Sequence, residues 1–135
     1  MLEQVNYLDE SPDIVAAEDY NAWLKIAERS EQFLYIHKVL GKYFIGKDNF
    51  SNKNMSVCSI SASIAFVKHL NKKQLTKYDA WIAYTSGRYK YLNKDYNSAV
   101  TYLFNSAKGA TFMLRIKSLY MLLLIYLIKA KDILN

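Results

Sequence analysis

Apolar positions recur at helical spacing along most of the chain, and in one stretch they switch to the denser pattern of strands. From about Ser11 to Ser30 the period is helical, with Ser11 placed as N-cap and Pro12 at the first helical position, where its missing N–H costs nothing. The runs Phe33-Leu34-Tyr35-Ile36 and Val39 to Ile45 are rich in β-branched and aromatic residues and read as two short strands. A polar loop of Gly, Asp, Asn and Ser follows from Gly46 to Lys53. Val57, Ile60, Ile64 and Val67 then recur at three and four, marking a helix from about Asn54 to Leu70. Its other face would hold Ser56, Ser59 and Ser63. Between Asn71 and Lys73 the pattern breaks in a turn.

The remainder is helical. Between Trp81 and Ala107 lie Gly87, Asp95-Tyr96, Ala99, Leu103 and Ser106, a small–aromatic–small spacing that resembles one tetratricopeptide-like unit. Two antiparallel helices would cross closely at Gly87 and Ala99, with Tyr96 filling the turn. One such unit builds no solenoid, so a helical pair that merely packs this way explains the spacing equally well. The last helix, from about Ala110 to Leu134, carries the apolar run Leu119 to Ile128, about half of the ~20 residues that span a bilayer. Arg115 and Lys117 precede that run, and Lys129 and Lys131 follow it. Burial in the bundle, pairing with a second copy and a place in a membrane interface are all open to it. The fold class expected is mainly α: a helical bundle or helical hairpins with one short two-stranded β element near residues 33–45.

Charge divides the chain. Residues 1–35 carry eight acids against Lys25 and Arg29, a net −6, and the remainder is +12. A basic half with many tyrosines suits nucleic acid in principle. No nucleic-acid motif accompanies it and the tyrosines fall at helical core spacing, so no nucleic-acid partner is expected. A basic face resting on an anionic cytoplasmic leaflet fits better. The one cysteine, Cys58, excludes an internal disulfide and lies on an apolar helix face, where burial is the ordinary outcome. His37 and His69 stand far apart without ligand-spaced partners, so no zinc site is expected. The first residues are polar and acidic rather than basic then apolar, unlike a signal peptide. The setting expected is cytoplasmic, or peripheral at the inner membrane face.

Candidate chemistry sits at Glu18-Asp19. Two adjacent carboxylates open a helix, and Trp23 lies four residues after Asp19 on the same face. A carboxylate at a helix N-terminus is favoured in its ionised form. Beside an aromatic platform it suits a general base for a sugar hydroxyl. The plainer reading makes the acids ordinary first-turn residues and places Trp23 in an apolar stripe with Tyr20, Leu24 and Ala27.

The flanking residues extend this pattern. Leu8-Asp9-Glu10-Ser11-Pro12, Glu18-Asp19-Tyr20 through Trp23-Leu24-Lys25, Val39-Leu40-Gly41-Lys42-Tyr43 and Asn49-Phe50-Ser51, in that order, resemble the C-terminal part of family 2 glycosyltransferases, inverting enzymes of the GT-A fold. The resemblance covers roughly residues 7–52. It implies that Asp19 is the catalytic base, that Glu18 helps position the site, that Trp23 packs beneath the acceptor pocket, and that Asp9 lies in the preceding loop with a mainly structural role. Where the family often has an Arg and a His near the donor diphosphate, this chain has Phe44 and Gly46; Lys47 could supply positive charge there, or be a solvated loop lysine.

The family's nucleotide-sugar-binding α/β half, with its Asp-x-Asp metal motif, has no counterpart here. No Asp-x-Asp and no glycine-rich strand-to-helix turn is present. The resemblance therefore implies residues 1–53 as the acceptor-side segment of a catalytic domain and 54–135 as a helical tail. The chain would be a truncated transferase, inactive alone and with no cofactor of its own. The complete enzyme would use Mg or Mn, a nucleotide sugar, and a glycan or lipid-linked acceptor of the cell-surface polysaccharide kind. A covering half left out would expose apolar surface and favour homo-oligomers. The alternatives are a tetratricopeptide-like protein-interaction module and a peripheral membrane module.

Overall fold

The computed structural model describes residues 1–30, 32–42, 44, 46 and 54–134. Five α-helices are formed among them: α1 (Glu18–Ala27), α2 (Met55–Ser63), α3 (Lys72–Leu92), α4 (Tyr96–Gly109) and α5 (Phe112–Leu134). Short 3-10 turns occupy Glu3–Val5, Pro12–Ile14 and Ile64–His69. The architecture is mainly helical, as the periodicity requires.

The α3–α4–α5 hairpins follow closely from their residues. Asn71 caps α3 in a reciprocal box, its side chain accepting from Gln74 N–H at 3.0 Å while Gln74 Oε1 accepts from Asn71 N–H at 2.9 Å. Asp95 caps α4 by accepting from Ser98 N–H at 3.2 Å, and Lys90 holds the same carboxylate at 3.1 Å. The two helices then cross without room for a side chain at Gly87, where a Cβ would lie 2.9 Å from Leu103 Cγ and 3.1 Å from Tyr102 Cβ. Ala99 and Leu103 are wholly buried there, with Tyr84, Tyr91 and Tyr96 packed around them. On the other side of α4, Met121 and Ile125 of α5 close the same core. Buried Ser118 donates to Ser106 Oγ at 3.1 Å, Arg115 donates to the Ala107 carbonyl at 2.9 Å, and Lys129 reaches Asn97 at 2.7 Å, so α5 runs antiparallel to α4.

A second, smaller core joins Ile14, Ala17 and Ala62, with Tyr20 and Cys58 against it. Three expectations fail in this region. The helix expected over residues 11–30 is broken: Pro12–Ile14 forms a 3-10 turn, Ala16 takes a left-handed φ of 67°, and α1 starts only at Glu18. The helix expected over 54–70 is α-helical only to Ser63 and continues as a 3-10 turn. Its faces are also reversed, since Ser56, Ser59 and Ser63 are buried while Val57 and Ile64 are exposed, Ile64 by 60%. Small serines allow close approach of neighbouring elements and satisfy their hydroxyls locally. Ser63 Oγ donates to the Ser59 carbonyl at 2.5 Å and pairs with Tyr78 Oη at 2.8 Å.

The strand pair expected near 33–45 is likewise not formed among the described residues of that stretch. Phe33, Leu34, Tyr35, Ile36, Val39 and Leu40 are exposed, Val39 by 93%. A two-stranded ribbon with no sheet or helix to bury its faces is marginal in water. Tyr43, Ile45 and the loop 47–53 lie outside the described residues.

Candidate functional site

The face of α1 that looks to solvent carries the carboxylate–tryptophan pair. Ala17 is the N-cap and makes no side-chain bond, so the acids do the work of the missing cap. Asp19 accepts from Tyr20 N–H at 2.7 Å and stays exposed. Backbone hydrogen bonds at Glu18 and at Ala16 hold the Glu18 carboxyl below its usual range, so it is a fixed anion at neutral pH. The left-handed Ala16 directly before this pair is a backbone conformation costing a non-glycine roughly 1 kcal/mol or more.

Trp23 settles what the apolar stripe is not. Trp23 is 65% exposed and Ala27 is exposed too, whereas Asn21 and Ala22 are buried and Tyr20 and Leu24 half-buried, Tyr20 against the second core. The stripe Tyr20-Trp23-Leu24-Ala27 is therefore split: Tyr20 meets the core and Leu24 is half-buried, while Trp23 and Ala27 stand outside it. Asp19 and Trp23 share an open face with an ionised carboxylate N-terminal to it and a large indole on it.

Behind that face the helix is anchored. Asn21 Nδ2 donates to the Ala62 carbonyl at 2.7 Å, tying α1 to α2, while its buried Oδ1 has no partner among the described residues. The Tyr20 ring lies 6.3 Å from Trp81, and Trp81 lies 6.4 Å from Tyr78, an aromatic run from α1 onto α3. Burial first, then the neighbouring Tyr78, pushes the Tyr20 phenol up, so it remains neutral. Asp9 lies in the preceding loop. It accepts from Ser11 N–H at 3.1 Å and pairs with Lys25 of α1 at 3.5 Å. Lys47 lies outside the described residues.

Sequence reasoning missed Lys25 as the partner of Asp9, Asn21 as a buried tie, and Ala16 as the strained entry. None of the three has a spacing signal: the partners of Lys25 and Asn21 lie on other elements, and the left-handed φ of Ala16 has no local residue cue. It also left His69 unpartnered; His69 Nε2 meets Glu28 at 2.9 Å. That pair borders a groove of about 640 Å³ lined by Leu24, Ala27, Arg29, Phe66 and Leu70. Neither Asp19 nor Trp23 lines it.

Among the described residues no three carboxylate, imidazole or thiolate groups converge on a point that would hold a metal ion. No known protein family, curated protein or solved structure matches this chain.

Proposed function

We propose that this chain is the acceptor-side wall and helical tail of an inverting glycosyltransferase. The observation that carries the reading is the exposed Asp19–Trp23 pair on α1, which no core packing accounts for. In the reaction, Asp19 accepts the proton of the acceptor hydroxyl as that oxygen attacks the anomeric carbon of a nucleotide sugar. The bond from the anomeric carbon to the diphosphate breaks in the same step, and the configuration inverts. Glu18 keeps a second negative charge at the helix entry, Trp23 offers its flat face to a sugar ring, and the Asp9–Lys25 pair fixes the loop beside them.

The donor half is supplied by an α/β unit outside this chain. The exposed apolar residues from Phe33 to Leu40, with Val57 and Ile64 of α2, are surface for it to cover, and there the two short strands would form against its sheet. A divalent metal for the diphosphate would belong to that half. The setting is the cytoplasm or the inner face of a membrane, where a lipid-linked or cell-surface glycan accepts the sugar.

The test is 1H–15N NMR of this chain titrated with a panel of oligosaccharide acceptors. Shifts at the amides of 18–25 and the Trp23 indole support the reading. Shifts confined to α3–α5, or none with any acceptor, refute it. A second reading, a tetratricopeptide-like protein-interaction module, is favoured by the Gly87–Leu103 crossing and by a groove of about 430 Å³ lined by Ile60, Leu75, Ile82 and Tyr102. It predicts a protein partner indifferent to Glu18 and Asp19.

A further inference from the structure

Among the described residues one long face is apolar and left uncovered. On α5 the side of Ser118, Met121 and Ile125 packs onto α4, and the opposite side presents Phe112, Ile116, Leu119, Tyr120, Leu123 and Tyr126 to solvent. Phe112 is 76% and Tyr126 69% exposed. At 100° per residue these six fall on one stripe along the first four or so turns of the helix. Contiguous apolar surface of this kind marks a docking face.

The charges around the stripe choose its occupant. Lys117 and Lys131 border one edge, both exposed and neither ion-paired among the described residues. On the other edge Arg115 and Lys129 stand, each held by a neutral oxygen of α4 that leaves its charge unneutralised. Asp132 is the single acid on the helix, and residues 54–135 hold twelve lysines and arginines against three acids. A second copy laid on this stripe would bring two strongly basic rims together with no acids to meet them. An anionic lipid surface complements both features, taking the stripe into the acyl boundary while lysine stems reach back to headgroups. Tyr120 and Tyr126 suit the same depth, with rings in the apolar zone and hydroxyls in the wet one. Among the described residues no helix is long and apolar enough to cross a membrane, so α5 would lie along the surface.

We infer that the outer face of α5 is a docking surface for an anionic bilayer. This does not depend on the role of Asp19, and its test does not involve α1. The experiment is co-sedimentation of the purified chain with phosphatidylcholine vesicles, with and without phosphatidylglycerol as a minority component, alongside light scattering of the free protein.

The wild type should sediment with the anionic vesicles, not with the neutral ones, and be released by high salt. Lys117→Gln with Lys131→Gln should weaken binding about thirtyfold, from the loss of two surface charges. Leu123→Glu should abolish it, with the helical circular dichroism unchanged because Leu123 does not pack inward. Leu34→Glu, on the separate exposed run, should bind like wild type. Equal binding to neutral vesicles, binding that survives Leu123→Glu, or no binding at all would overturn the inference. So would a dimer in solution that Leu123→Glu dissociates and that ignores vesicles.

Discussion

Replacing Gly87 by alanine pits two effects of known sign against each other. Alanine in a helix interior is worth about 1 kcal/mol over glycine, so an unobstructed site would gain stability. Here the added methyl would stand 2.9 Å from Leu103 Cγ, 3.0 Å from Leu103 Cδ2 and 3.1 Å from Tyr102 Cβ. Leu103 is fully buried, and Tyr102 Cβ is fixed to the α4 backbone, so neither can swing away. Forcing a methyl into a packed crossing costs about 1–3 kcal/mol. The net expectation for Gly87→Ala is a loss of about 1 kcal/mol, which at this chain length lowers Tm by about 4 °C.

The assignment becomes sharp in a double-mutant cycle followed by urea unfolding and circular dichroism. Leu103→Ala alone should cost about 3–4 kcal/mol, because it opens a cavity between three helices. With Leu103 truncated the obstruction goes, so adding Gly87→Ala should now stabilise by up to about 1 kcal/mol. A Gly87→Ala variant more stable than wild type, or an unchanged penalty in the Leu103→Ala background, would refute the close crossing.

Other outcomes follow from the anchoring residues. Asn21→Ala removes the bond to the Ala62 carbonyl and should cost about 1 kcal/mol in the same assay; a neutral result would show that the tie is not made. Trp23→Ala should change stability by less than about 0.5 kcal/mol, since the side chain stands in solvent, and should remove the tryptophan emission most open to acrylamide quenching. Asp95 is lowered from the ordinary 3.8, chiefly by the hydrogen bond to Ser98 and then by Lys90. Its unfolded form therefore binds a proton first, so its contribution is complete above 3.8 and is lost as pH falls through the lower folded value. Asp95→Asn, which keeps a capping oxygen, should flatten that acid limb of the Tm–pH curve, and an unaltered limb would count against the linkage.

The helical tail was legible because its signals are local. Gly87, Ala99 and Leu103 encode the crossing within one hairpin, and the break in the pattern at Asn71 announces the turn; the caps at Asn71 and Asp95 are as local but were not read from the sequence. The N-terminal third was not, because its structure depends on distant partners. Nothing near Ala16 announces a left-handed residue, and Pro12 at a helical start looked like the beginning of one long helix. The serines of α2 read as a solvent face, yet smallness made them the packing face against Tyr78 and the Ile14 cluster. Apolar runs such as Phe33 to Ile36 announce burial without saying against what. At the site, the Asp19–Trp23 register was plain from spacing alone; the exposure that takes Trp23 out of the core required the fold.

The reading of α1 as the catalytic face is tested most directly by Asp19→Asn in a transferase carrying both halves, with sugar transfer and donor affinity measured together. The account predicts that transfer falls by at least about a hundredfold, the lower bound for loss of a positioned general base, while donor affinity is unchanged. Near-normal transfer by Asp19→Asn would contradict it.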